Sequence, residues 1–277
     1  MNFPKIFSVE TVRGCNLRCP LCAVGCGKTI LPKKHMTIGE YDTIANKISP
    51  YASHVALHIW GEPMLNRDIF SIISRTLQFA SAGIHTNANC LSDEDAAKLA
   101  VSGASVSVSL DGMTQETYGA YRIGGSLDKA INVLKILKKH HAAAKMTTSL
   151  GAQFLVFAHN VHEVPKFLAF CKSIGVPGTT KVPHFKLNPV IQPHVQRPPF
   201  DLNQVLSCRD PYDVCTILAD GSIVLCCYDY DASIPLGNLF SQSLEDIWQG
   251  PIRAKLLQDF ANKQPPKLCL EGCLLFS

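Results

Sequence analysis

Three cysteines, Cys15, Cys19 and Cys22 in the run GCNLRCPLC, follow an apolar stretch with the spacing C-x3-C-x2-C. Thiolate is the ligand that iron-sulfur clusters use, and three thiolates serve three irons of a four-iron cube. The fourth iron is then open to an exogenous molecule, which makes such a site catalytic as well as structural. The competing chemistry is a structural zinc site with Cys26 as the fourth ligand. Zinc sites more often pair C-x2-C units across a longer loop, whereas Cys26 adds a third short interval. A disulfide framework fits less well, because 277 residues can bury a full core and no signal-peptide pattern precedes the first strand.

Composition narrows the function classes. The net charge of +4 is spread along the chain without a basic tract. Residues 135–141 read as one solvated helix end, so the expectation is no nucleic-acid partner. No apolar stretch approaches the length of a membrane span, and a soluble protein with no membrane partner is expected. Twelve cysteines in a chain that reads without a secretory signal point to a reducing cytoplasm and to metal.

The elements that must position these residues alternate. An apolar strand at Ile6 to Val12 ends at the cysteine loop, and Thr37-Ile-Gly-Glu40 reads as a capping box opening a helix to about Ile48. Strands are expected at Val55 to Trp60, Ile84 to Asn87, Ser105 to Leu110, within Met146 to Phe157, and at Thr179 to Leu187. Helices are expected at Asp68 to Ala80, after Ser92, from Ser126 to Lys139, and at Val161 to Ile174. Alternating βα units imply a parallel sheet with helices outside it, closed as a barrel or open and doubly wound. The polar motifs favour the barrel. Cys15 to Cys22, Gly61-Glu62-Pro63, Asn87 with Asn89, and Asp111-Gly112 all follow strands, and a barrel gathers the carboxyl ends of its strands into one face.

The pattern breaks at about Asn188 to Gln204, a proline-rich run without period that reads as a linker. Beyond it, Cys215 to Tyr230 reads as two strands turning at Asp220-Gly221, with helices from Ser243 to Trp248 and Ile252 to Asn262. Six cysteines fall here: Cys208, Cys215, Cys226, Cys227, Cys269 and Cys273. A hairpin and two helices bury little alone, so metal ligation would stabilise this module.

The C-x3-C-x2-C motif resembles the signature of the radical S-adenosylmethionine (SAM) superfamily, whose members use a partial (β/α)6 barrel. The resemblance implies a SAM-binding 4Fe-4S cluster on Cys15, Cys19 and Cys22, with SAM chelating the open iron through its amino and carboxylate groups. WGEP at Trp60 to Pro63 resembles the superfamily's G-G-E element, with Trp60 in place of the first glycine, and so implies that Glu62 faces the SAM amino group. A carboxylate opposite an ammonium makes a charge-assisted hydrogen bond. The stretch at 85–122, HTNANC to YGAYR, resembles the T-N-G…S-x-D-G…Y-x-x-x-R block. It implies that Ser109 and Arg122 lie near SAM, and Asp111 either binds ribose hydroxyls or begins a turn. Ala88 stands where the glycine of T-N-G is usual, which weakens the case for a positive φ there.

The C-terminal run ADGSIVLCCYDYD…SLEDIW…C-x3-C resembles a SPASM/twitch auxiliary domain. The expected fold is therefore α/β: a radical SAM partial TIM-like barrel over residues 1–190, a linker at 191–207, and a small twitch/SPASM module of hairpin plus helices at 208–277. Six cysteines suit the shorter twitch form with one auxiliary 4Fe-4S cluster on Cys208, Cys226, Cys269 and Cys273. Cys215 remains an alternative to Cys208, and Cys227 falls on the opposite strand face from Cys226. Structural zinc is the competing metal for this module as well.

The resemblance implies reductive cleavage of SAM to a 5'-deoxyadenosyl radical, which abstracts a substrate hydrogen atom. Two 4Fe-4S clusters and SAM are the expected cofactors, with a reducing partner such as flavodoxin or ferredoxin. An auxiliary cluster can accept the electron of a substrate radical, which favours a radical SAM oxidoreductase acting on a small polar molecule such as a sugar or aminocyclitol. Epimerisation is the other outcome for that substrate class, with Cys90, after the third strand, as a candidate hydrogen donor. The alternatives are modification of a ribosomal peptide or protein side chain, and a non-catalytic zinc or electron-transfer protein.

Overall fold

The computed structural model describes residues 3–182 and 202–271. Six parallel strands form the barrel sheet: β1 (Ile6–Val9), β4 (His54–Ala56), β5 (Ser81–Thr86), β6 (Ser105–Ser109), β7 (Leu150–Leu155) and β8 (Gly178–Lys181). They lie side by side in chain order, each pairing parallel with the next. Short β2 (Val12–Arg13) and β3 (Lys34–His35) pair as a separate antiparallel ladder that brackets the cysteine loop. A parallel register requires helical crossovers, and these are α1 (Ile38–Ile48), α2 (Ile69–Thr76), α3 (Asp93–Ala100), α4 (Gln115–Tyr121), α5 (Leu127–Ala143) and α6 (Val164–Ser173).

Local chemistry explains the helix starts. Thr37 and Glu40 form the expected capping box of α1, while Ser92 and Ser126 accept the N3 amides of α3 and α5. In α1 the buried residues Tyr41, Ile44, Ala45 and Ile48 recur at the helical period and face the sheet. Pattern reading missed α4, which Thr114 caps and which carries Tyr121 at its last turn. The expected strand at Val55 to Trp60 pairs only over His54–Ala56, because its carboxyl end turns aside into the Gly61-Glu62 loop.

The C-terminal segment continues the same sheet. α7 (Leu202–Leu206) and α8 (Asp210–Asp213) lead into β9 (Val214–Ile217), which pairs parallel with β1. β10 (Ser222–Val224) returns antiparallel, and β11 (Pro235–Asn238) completes a nine-stranded sheet. The turn between β9 and β10 uses Gly221 at φ +80°, a conformation suited to glycine. Glu10 stitches the segments together: it pairs with Arg13 at 2.8 Å and accepts the Ala219 amide at 3.0 Å. α9 (Leu244–Trp248), α10 (Pro251–Ala261) and α11 (Lys267–Glu271) cover this end. Residues 202–206 of the expected linker are helical, while 191–201, the end of the expected Thr179–Leu187 strand, and Cys273 lie outside the described residues.

Candidate functional site

At the carboxyl ends of β1, β4, β5 and β6 one cavity is lined by Cys15, Cys19, Cys22, Trp60, Glu62, Asn87, Ser109 and Arg122. The cysteine loop and the β4 loop meet almost backbone to backbone. A Cβ on Gly61 would fall 1.9 Å from the Val12 carbonyl oxygen, so only glycine permits the contact. The Glu62 amide then donates to the Gly14 carbonyl at 2.9 Å. This join fixes the thiols relative to the acid.

Cys15, Cys19 and Cys22 are free thiols. Burial pushes Cys15 up to about 11 and Cys22 up to about 12, and raises Cys19 despite nearby Arg122. Such thiols keep their protons at neutral pH unless a cationic metal centre takes the protons' place. Among the described residues, no three His, Cys, Asp or Glu side chains converge on one point closely enough to hold a single metal ion. Thiols spread around a cavity suit a polynuclear cluster, whose irons each take one thiolate, better than one zinc ion. Cys26, the would-be fourth zinc ligand, is not among the residues that line the cavity.

Glu62 is 2 % exposed, and burial raises its carboxyl. One oxygen accepts Thr86 Oγ1 at 2.7 Å and the Met64 amide at 3.2 Å; the other accepts the Asn87 amide at 2.7 Å. The acid therefore locks the loops after β4 and β5 together as well as lining the cavity. Ala88 adopts φ +62°, the left-handed conformation of the glycine it replaces. The Thr86 side chain holds its amide at 3.0 Å, and the next amide, of Asn89, bonds back to Asn87. The expectation that Ala88 speaks against a positive φ is thus corrected: the tight asparagine turn imposes it at a cost of about 1–2 kcal/mol.

Asp111 is fully buried, and its carboxylate is taken by Arg122 Nε and by the Leu155 amide at 2.6 Å. It is not among the residues that line the cavity, and it holds Arg122 there. Arg122 is held by Asp111, with Nη1 3.8 Å from Cys19 Sγ, and Ser109 lines the cavity beside it. Cys90 is half-buried and is not among the lining residues.

Sequence reading missed two lining residues, His58 and His85. Their rings stack at 4.2 Å between centroids and 13° between planes. They line both this cavity and a second one that runs along Ser105, Ser107, Gly151 and Thr179. Burial holds His58 down at about 3 and His85 at about 4, so both are neutral at pH 7. The signal was present: the interior positions two apart are His54, Ala56 and His58 on one chain segment, and Ser81, Gly83 and His85 on the next.

A second thiol set lies in the C-terminal segment. Cys208, Cys226 and Cys269 line one apolar pocket with Val205, Asp210, Leu225 and Tyr228. Cys215 sits fully buried on β9 and is not among the residues that line that pocket, which favours Cys208 over it as a ligand. Three thiols in an apolar shell fit an iron-sulfur cluster, with Cys273 left as the candidate fourth.

Residues 9–168 match the Radical SAM superfamily, and residues 208–274 match an iron-sulfur cluster-binding domain, SPASM. The chain belongs to the radical SAM superfamily. A 4Fe-4S cluster with SAM, and further iron-sulfur in the SPASM segment, are the cofactors this membership implies. The AdoMet-dependent heme synthase of Methanosarcina barkeri is 25 % identical over 180 residues, covering 63 % of this chain and 49 % of its own. The probable GTP 3',8-cyclase of Methanocaldococcus jannaschii is 29 % identical over 169 residues, covering 60 % and 55 %. The chain thus spans about half the length of these curated relatives. Solved structures show the same fold. BtrN in complex with AdoMet and 2-DOIA aligns over 98 % of this radical SAM chain and 93 % of its own, with TM-score 0.62 and 18 % identity. Streptococcus suis SuiB bound to S-adenosylmethionine aligns over 92 % and 68 %, with TM-score 0.73 and 14 % identity. Among the described residues no helix is long and apolar enough to cross a membrane.

Proposed function

We propose that this protein is a radical SAM oxidoreductase that removes a hydrogen atom from a small polar molecule, such as a sugar or aminocyclitol, and oxidises or epimerises it. The observation that carries this reading is the stacked His58–His85 pair, which gives the cysteine-lined cavity a polar, neutral, hydrogen-bonding floor. Cys15, Cys19 and Cys22 would hold the SAM-binding cluster, and Cys208, Cys226, Cys269 and Cys273 a single auxiliary cluster. Bound there, cluster and SAM would supply the radical chemistry that takes the hydrogen atom.

The remaining work belongs to the chain. Arg122, held by Asp111, presents a cation beside Cys19 and suits the SAM carboxylate. Asn87 and Glu62 order the opposite wall, where an ammonium would find the acid. His58 Nδ1 lies 3.2 Å from the His85 amide, which fixes the ring against the strand. A neutral imidazole on the cavity floor can hydrogen-bond a substrate hydroxyl and orient it. The apolar and aromatic wall of Leu17 and Tyr121 keeps water from the radical.

The match over 98 % of this chain to a structure holding 2-DOIA supports the small-molecule class. A peptide is the competing class, since SuiB has been solved with its precursor peptide. A flavodoxin- or ferredoxin-class donor and the reducing cytoplasm fit oxygen-sensitive clusters. The test offers carbon-deuterated polyols and amino sugars to the reconstituted protein with SAM. Deuterium in 5'-deoxyadenosine supports the reading; deuterium arriving only from a labelled peptide refutes it.

A further inference from the structure

The two cysteine sites are joined through Trp60, the residue that stands where the related motif has glycine. Its backbone carbonyl lies 3.4 Å from Cys22 Sγ, and its indole Nε1 donates to the Cys227 carbonyl at 2.5 Å. Cys227 is bonded directly to Cys226, which lines the auxiliary pocket. The chain of contact is therefore Cys22, Trp60, Cys227 and Cys226, with one van der Waals step and one hydrogen bond among covalent bonds.

The rings repeat this link. Trp60 lines the first cavity and Tyr228 lines the auxiliary pocket. The two rings meet edge to face with centroids 6.2 Å apart, and Tyr230 packs on the indole at 5.7 Å in the same manner. A glycine at position 60 would supply neither the ring nor the N–H. Edge-to-face packing of this kind also holds the two loops at a fixed separation.

We propose that Trp60, with Tyr228, is the electron path between the radical site and the auxiliary cluster. The inference rests on the two-cluster reading above. In the oxidation, the substrate carbon gives its hydrogen atom to the 5'-deoxyadenosyl radical. The resulting substrate radical loses one electron and its hydroxyl proton, and the C–O bond becomes C=O. The electron passes through Trp60 and Tyr228 to the oxidised auxiliary cluster, and a soluble flavodoxin- or ferredoxin-class carrier takes it on. The proton leaves to water.

The test needs no substrate. Reconstituted, oxidised protein with a SAM analogue that cannot be cleaved receives less than one electron per chain from photoexcited deazaflavin. Freeze-quench electron paramagnetic resonance then follows which reduced cluster holds the electron; the analogue, bound at one cluster only, separates the two signals. In the wild type the ratio of the signals reaches its final value at the earliest times. Trp60→Phe keeps the ring packing but loses the N–H, and Trp60→Gly loses both. The expected result is a slow approach to the same final ratio, slower in Trp60→Gly than in Trp60→Phe. Equal relaxation in wild type and both variants would overturn the relay while leaving the two-cluster reading intact. Iron for only one cluster per wild-type chain would overturn that reading, and the relay with it.

Discussion

Glu62→Gln separates two roles that the acid combines. In the folded protein its two oxygens accept Thr86 Oγ1 and the amides of Met64 and Asn87. A glutamine has only one acceptor oxygen. Whichever way the amide is turned, its NH2 faces a backbone N–H, of Asn87 or of Met64, inside a residue that is 2 % exposed. Leaving one buried donor unpaired costs about 1–3 kcal/mol. For a chain of this size that corresponds to a fall in Tm of about 2–5 °C. The assay is an anaerobic thermal melt of the metal-free protein, so that neither cluster nor SAM contributes. An unchanged Tm would refute the claim that Glu62 locks the loops after β4 and β5. Lost SAM binding at unchanged Tm would show a contact residue and nothing more.

Two other substitutions probe the metal ligands and the floor. Cys208→Ala should lower iron by about four per chain, whereas Cys215→Ala should keep it and lose only about 1 kcal/mol of core packing, read by iron assay and urea melt. His58 is held near 3 in the folded state against an ordinary value of 6.5. Between those limits the unfolded chain binds a proton that the folded chain does not, so stability falls as pH drops below 6.5. The slope is at most roughly 1.4 kcal/mol per pH unit for that one group. His58→Phe should lack it, and identical urea midpoints against pH from 7 to 4.5 in wild type and variant would contradict the buried neutral imidazole.

The barrel was legible because its signals are local. Thr37 with Glu40, Ser92 and Ser126 announce helices through bonds within one turn, and strands of a parallel sheet show as apolar runs between them. The cysteine loop was legible because its ligands are seven residues apart from first to last. What escaped was set by tertiary pairing. Nothing near Val214 says that β9 will lie parallel to β1, more than 200 residues earlier. His58 and His85 lie on different strands, and only the sheet register stacks them. Asp111 read equally well as a ribose ligand or a turn residue; its ion pair with Arg122 was hidden because the partner lies eleven residues along and across a helix. Ala88 shows the limit of residue preference, since the hydrogen bonds of Thr86 and Asn87 outweigh the steric penalty of its methyl group.

The central claim is that one chain carries two separate iron-sulfur sites, one of which cleaves SAM. Anaerobic reconstitution of the wild type and of Cys15→Ala/Cys19→Ala/Cys22→Ala, with iron counted and 5'-deoxyadenosine measured under reductant, tests it directly. The account predicts about eight irons and SAM cleavage in the wild type, and about four irons without cleavage in the triple variant. Loss of all iron in the triple variant, or cleavage of SAM by it, would contradict the account.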